Sequence, residues 1–306
     1  MTTQEHSAHD RLGLAAALVA PIAWGFTGIL IRLLHGLPPM TIVVGRLLTA
    51  SIALGVVLAF RPRRKASPWS WAPLLMAGYY VLATEAFVRA PVVEVTLLVG
   101  MAPVLALGIN RLRGIVVSGS QLLGVILAVG GLVAFLLPGD TPADTKLIGD
   151  LLALGAAFVS AVYAIQLRRM QASGTPPDPV RIAAIACLVG AILGAGLVAL
   201  FGSPTHRAFT THDVGILLLL GVLSTALPTA AFSIASARLP SVLTTSFGLS
   251  TPLFTALFAG AVLQEWPALS TLPGALLTLL GLALVVRARP PSSSNQRVVP
   301  SGRPAL

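Results

Sequence analysis

The sequence predicts an all-α integral membrane protein: ten transmembrane helices arranged as two inverted five-helix repeats. Three observations carry this reading. Hydrophobic residues fill 56% of the 306 positions and charged residues only 10%, with a mean hydropathy of +0.89. A water-soluble domain uses about 25% charged residues to cover its surface, so the solvent of this chain is lipid. The apolar residues gather in ten stretches of spanning length. The second half of the chain repeats, in the same order, marks found in the first.

The ten segments cover about residues 12–33, 40–60, 70–89, 92–110, 119–137, 148–168, 181–201, 213–236, 242–262 and 270–287. Segment 1 follows Arg11 and runs on to Leu34, too long for the apolar region of a secretory signal, and ends in HGLPP. Segment 2 is opened by Pro38-Pro39 and closed by RPRRK. Segments 3 and 4 are divided by Pro91 alone, and segments 8 and 9 by Pro240 alone. Segment 5 carries Gly124 and Gly131, segment 7 Gly190 and Gly194, and segment 10 Gly274 and Gly281, all read as close helix packing. The remaining breaks are loop chemistry: GDTPAD, SGTPPDP and GSPTHR. The chain thus divides into a cytoplasmic tail (1–11), a first repeat (12–137), an extracytoplasmic linker (138–147), a second repeat (148–287) and a basic tail (288–306). The Pro/Ser-rich composition of that last stretch predicts disorder.

The repeat is read at an offset of 149 residues, where Arg89-Ala-Pro91-Val-Val93 lies on Arg238-Leu-Pro240-Ser-Val242, Thr96 on Thr245 and Pro103 on Pro252. One residue further in offset, Gly124 meets Gly274 and Gly131 meets Gly281. Each half has five segments, an odd number, so the second half enters the membrane upside down. With the N-terminus inside, 14 Lys and Arg fall in cytoplasmic stretches and 2 (Lys146 and Arg207) in outer loops. That bias predicts an inner- or plasma-membrane protein with both termini cytoplasmic.

The residues also carry a resemblance. AFVRAPVVEVTLLVGMAPV (86–104) and ASARLPSVLTTSFGLSTPLF (235–254) each resemble the segment 3–segment 4 stretch of the EamA family in the drug/metabolite transporter superfamily. Trp24-Gly25, Arg46 and Gln264-Glu265 fit the same pattern, and the likeness covers about residues 12–287. The resemblance implies a ten-helix transporter that works by alternating access and usually exports small metabolites. The chain departs from the family in three places. Val116 stands where an acidic residue often ends the fourth segment, Ala184 stands where Arg46 would have its twin, and Glu85 and Glu94 are not typical.

Charge inside lipid is the main functional signal, because one ionised side chain at the bilayer centre costs about 2.5–3.5 kcal/mol on insertion scales. The stretch TEAFVRAPVVE (84–94) carries Glu85, Arg89 and Glu94. At 1.5 Å per residue, these three and Arg46 fall in the outer third of the membrane. Glu85 and Arg89 are spaced i,i+4 with the acid first, the better order for a helical pair. Arg46 or Arg89 suits a carboxylate. Glu85 or Glu94 suits an amine or a coupling proton. The bland alternative is an outer gate or an interfacial salt-bridge cluster, favoured for Glu94 and Arg32.

Other candidates have weaker signals. Trp24 and Tyr163 sit near mid-depth in corresponding segments and suit stacking on a substrate, though helix packing is the commoner use. Tyr80 lies close enough along segment 3 to share a cavity with Glu85. Thr96 and Thr245 open the paired segments 4 and 9, where hydroxyls usually bond their own helix backbone. Pro21, Pro103, Pro228 and Pro252 interrupt segments 1, 4, 8 and 9 and predict kinks.

The expected function is alternating-access transport, in the export direction, of a small amino acid, organic acid or amine. No catalytic residues and no cofactor are assigned. His206, His212 and Asp213 share one loop but lack a firm third ligand, so no metal is assigned. The single Cys187 excludes a disulfide within one chain, and nothing points to nucleic acid. The expected partners are a small-molecule substrate, lipid, a coupling proton or other ion, and a second copy of the chain. Two rivals stand beside this reading: an intramembrane enzyme acting on a lipid or prenyl substrate, and a non-transporting scaffold or sensor.

Overall fold

The computed structural model describes residues 3–61, 71–136, 143–172, 178–201, 208–238 and 247–287, and all regular structure among them is helical. Thr245, His206, the tail after Pro290 and the RPRRK loop beyond Arg61 lie outside the described residues. Eight helical stretches are long and apolar enough to cross a bilayer: Arg11–Leu33, Pro39–Ala59, Val92–Leu112, Gly119–Leu136, Lys146–Gln166, Val180–Leu200, Thr211–Phe232 and Leu269–Arg287. Segment 3, Ala72–Arg89, is an 18-residue helix whose apolarity is lowered by Glu85 and Arg89. The described helix of segment 9, Thr251–Leu263, has 13 residues.

Two helices begin ahead of their expected segments. The first helix begins at Thr3, so much of the expected N-terminal tail is helical. The helix of segment 6 begins at Ala143, so the expected linker is helical from there and Lys146 belongs to a helix rather than a loop.

The helices pack in a pattern that maps onto itself when each segment is exchanged for the one five later. Segment 2 packs on 7, 4 on 9 and 5 on 10; segment 3 packs on 6, and segment 8 on 1. Register shows the facing pairs to be antiparallel. Gly124 of segment 5 lies against Gly281 of segment 10, while Gly131, seven residues on, lies against Gly274, seven residues back. A Cβ on Gly124 would sit 2.8 Å from the Gly281 carbonyl oxygen, and one on Gly274 would sit 2.8 Å from the Gly131 carbonyl oxygen. Only glycine allows two backbones this close, and small-residue seams of this kind hold helices together where lipid removes the hydrophobic drive. Segments 2 and 7 run antiparallel in the same way, with Gly190 on Leu47 and Gly194 on Val44. The two halves are therefore inverted repeats.

Large apolar side chains cover the outside: Ile52, Ile126, Leu151, Ile192 and Leu280 are each about 60% exposed, a surface made for lipid.

The breaks in segments 4, 8 and 9 follow the prolines. Segment 4 is two helices, Val92–Val99 and Ala102–Leu112, with Pro103 at the second position of the latter. Segment 9 resumes at Thr251 with Pro252 in the same place. The residues before the two restarts, Met101 (φ −71, ψ −3) and Ser250 (φ −79, ψ −10), adopt nearly the same conformation and are themselves 149 apart. Segment 1 runs through Pro21 as helix, stops at Gly25 and restarts at Thr27. Segment 8 contains a π-turn, Val222–Ala226, immediately before Leu227-Pro228. Proline removes the amide that would bond the carbonyl four residues back, so the turn ahead of it loses its ordinary bond.

Candidate functional site

The charged residues form two separate groups. The first surrounds the segment 3–segment 4 junction. Arg89 and Glu85 form the i,i+4 ion pair their spacing predicts, and Arg89 Nη1 also donates to the Glu85 carbonyl oxygen at 3.2 Å. The Arg89 side chain is about one-third exposed. Arg32 Nη2 donates to the Ala90 carbonyl oxygen at 2.7 Å, capping the end of the segment 3 helix with a cation.

Glu94 is 5% exposed, and its Oε1 lies 3.3 Å from the Lys146 ammonium of segment 6. Asp150, one turn along segment 6, adds a second carboxylate beside Glu94. This ion pair joins a helix of the first repeat to a helix of the second. Gly149 lets the two approach, since a Cβ there would meet Ala90 at 2.7 Å. Two carboxylates and one ammonium thus stand together, with Glu94 buried and Lys146 and Asp150 half-buried.

The second group is built on Arg46, which lies in the first half of the Pro39–Ala59 helix and is 3% exposed. Its Nε donates to Thr225 Oγ1 at 2.7 Å, and its guanidinium carbon stands 4.9 Å from the centre of the Tyr80 ring. Tyr79 meets Tyr80 edge-on, with ring centres 5.4 Å apart. Thr225 belongs to the π-turn and passes its own proton to the Leu220 carbonyl oxygen at 3.1 Å. Thr229, the repeat mate of Tyr80, donates to the Thr225 carbonyl oxygen at 2.6 Å. Gly221 makes the meeting of segments 2 and 8 possible: a Cβ there would sit 2.8 Å from the Arg46 carbonyl oxygen and collide with Thr49.

Arg61–Asp178, Arg89–Glu85 and Lys146–Glu94 are ion pairs among the described residues, and none of the three includes Arg46. Arg46 Nη1 is buried with no hydrogen-bond partner among them. Arg46 thus pairs with none of Glu85, Arg89 and Glu94, a grouping that the sequence left open, and Tyr80 lies against Arg46. Depth places these residues at similar levels, but Tyr80 turns toward Arg46.

Trp24, Tyr163 and Thr96 take no part in these contacts. Trp24 is half-buried, with its ring 5.7 Å from that of Phe232. Phe26, at the break in segment 1, stacks on Phe258 of segment 9 at 3.9 Å. Tyr163 is half-buried on the unbroken helix of segment 6. Thr96 donates to the Val92 carbonyl oxygen at 2.8 Å, the usual use of a hydroxyl in a membrane helix. Asp213 caps its helix in a reciprocal box with Thr210, which accounts for its place in the outer loop.

Sequence reading missed Lys146, Asp150, Thr225 and Thr229 as site residues. Asp150 had a legible signal: an acid inside an apolar run. Thr225 and Thr229 had none, because threonines are ordinary in such helices.

Comparison with known proteins extends this picture. The sequence profile of the EamA-like transporter family matches residues 11–137 and again 147–287. An uncharacterized protein of Pseudomonas aeruginosa, PA1977, is 30% identical over 291 residues, covering 92% of this chain and 96% of that one. The Escherichia coli protein named uncharacterized inner membrane transporter YhbE is 26% identical over 289 residues, covering 88% of this chain and 86% of its own. A crystal structure at 20% identity superposes with a TM-score of 0.62, covering 91% of this chain and 96% of the other, and shares the fold.

Proposed function

Because the chain belongs to the EamA-like transporter family, we propose that it is a ten-helix secondary transporter exporting a small metabolite by alternating access. The observation that carries this reading is the antiparallel packing of the two repeats, with segments 4 and 9 broken at equivalent positions. In such architectures the substrate site lies between the repeats, and interrupted helices supply the moving parts. The 14-to-2 bias of basic residues supports cytoplasmic termini.

The Glu94–Lys146 pair ties the two repeats together on the outer side and must part when that side opens. We assign it as an outer gate. Glu94 and Asp150 together outnumber the single Lys146 ammonium, an excess of negative charge suited to a coupling proton or other cation.

Counterflow in proteoliposomes tests the reading. Purified protein should exchange at least one radiolabelled amino acid, organic acid or amine, with the compound recovered unchanged. Chemical conversion of lipid, or no exchange across the whole panel by folded protein, would overturn it.

A further inference from the structure

We propose that Arg46, Tyr80 and Thr225 form an anion site that takes the carboxylate of a small organic molecule. The proposal rests on the transport reading for its consequence, that this carboxylate compound is the cargo, but binding itself is a property of the folded protein.

The argument begins from charge. Arg46 is a 3% exposed cation, and no carboxylate among the described residues pairs with it. The acids of segments 3 and 4 are engaged elsewhere: Glu85 with Arg89, and Glu94 with Lys146. An enclosed charge without a counter-ion is strongly unfavourable in a low-dielectric interior. Thr225 satisfies Nε and the Tyr80 ring faces the guanidinium, yet Nη1 remains buried without a partner. A carboxylate supplies the missing negative charge and matches the planar fork of the guanidinium. One cation balances one negative charge, which favours a monoanion.

The second half of the fold builds the equivalent helix with Ala184 in place of Arg46, so the architecture does not require a cation here. The π-turn that presents Thr225 is a conformation concentrated at functional positions. Ser224, beside Thr225, is fully buried, and its hydroxyl also lacks a partner among the described residues. Tyr79 and Tyr80 add an aromatic wall for the body of the ligand.

Thermal melting of the full-length protein in detergent tests the site. The probes are acetate, pyruvate, benzoate, alanine and phenylalanine, against acetamide, benzamide and benzylamine at equal ionic strength in chloride. At least one carboxylate should raise the melting temperature by a few degrees while its amide or amine counterpart does not. Alanine and phenylalanine against pyruvate and benzoate then tell an amino acid from a plain acid.

Arg46→Gln should abolish the rise and Arg46→Lys should leave a reduced one. Should Arg46→Gln fail to fold, Thr225→Val and Tyr80→Leu keep the charge and carry the test, each lowering apparent affinity about tenfold. Amides as effective as carboxylates, no rise with any carboxylate, or a rise unchanged in the folded variants would overturn the proposal. A carboxylate that binds through Arg46 but is not moved in proteoliposomes would sink the transport reading and leave the site. Flux of amines alone would do the reverse.

Discussion

Arg46 and Thr225 stand 179 residues apart in the chain and meet at 2.7 Å, the guanidinium Nε donating to the threonine hydroxyl. The hydroxyl in turn donates to the Leu220 carbonyl, so one side chain serves two buried groups. Thr225→Val keeps the volume and removes both bonds. The expected cost is about 1–3 kcal/mol, the range for orphaning a buried polar partner. Thr225→Ser should stay near wild type. Melting of the purified variants checks this, and equal stability of the Val and Ser variants would show that the hydroxyl does no structural work.

Gly130 and Gly131 are neighbours with opposite surroundings. A Cβ on Gly131 would run into Thr278 and Gly274 of segment 10, whereas one on Gly130 meets nothing within 4 Å. Gly131→Leu should therefore force the segment 5–segment 10 seam apart, at 1–3 kcal/mol or more by analogy with overpacked cores, roughly. Gly130→Leu should be nearly neutral. Monodispersity and melting temperature in detergent distinguish the two, and a neutral Gly131→Leu would contradict the seam.

Lys146 faces two carboxylates, Glu94 and Asp150. Removing the cation leaves two like charges side by side, while removing Glu94 leaves a balanced Lys146–Asp150 pair. Lys146→Gln should accordingly reduce flux or stability more than Glu94→Gln does. The reverse order, measured as initial exchange rates and melting temperatures, would count against this arrangement.

Pro103 and Pro252 open the second helices of two symmetric, broken segments. Pro→Ala at either position restores an amide and favours a continuous helix. Each variant should keep or gain thermal stability while losing exchange activity several-fold. Unchanged exchange in the double variant would remove the breaks from the mechanism.

The two charged groups differ in how far they were legible. The Glu85–Arg89 pair was visible in advance because both partners lie on one helix, where spacing alone decides the contact. The Glu94–Lys146 pair was not, because its partners lie in different repeats and Lys146 read as a loop residue. Thr225 was invisible for a further reason: its position depends on the wider turn ahead of Pro228, which shifts the side chain around the helix axis.

Composition alone determined that lipid is the solvent of this chain, since so few charges cannot cover it in water. The repeat, with its odd number of segments, determined that the halves oppose each other, and the glycine seams meet in that register. The prolines determined where segments 4, 8 and 9 break. Only the tertiary structure decided which charges face one another. A segment's place in the sequence sets the depth of a side chain but not the direction in which its helix turns it. That direction is set by packing: by Gly221 admitting the Arg46 backbone and by Gly149 admitting Ala90. Arg46 was thereby left with an aromatic ring, one threonine and an unpartnered Nη1 instead of a carboxylate.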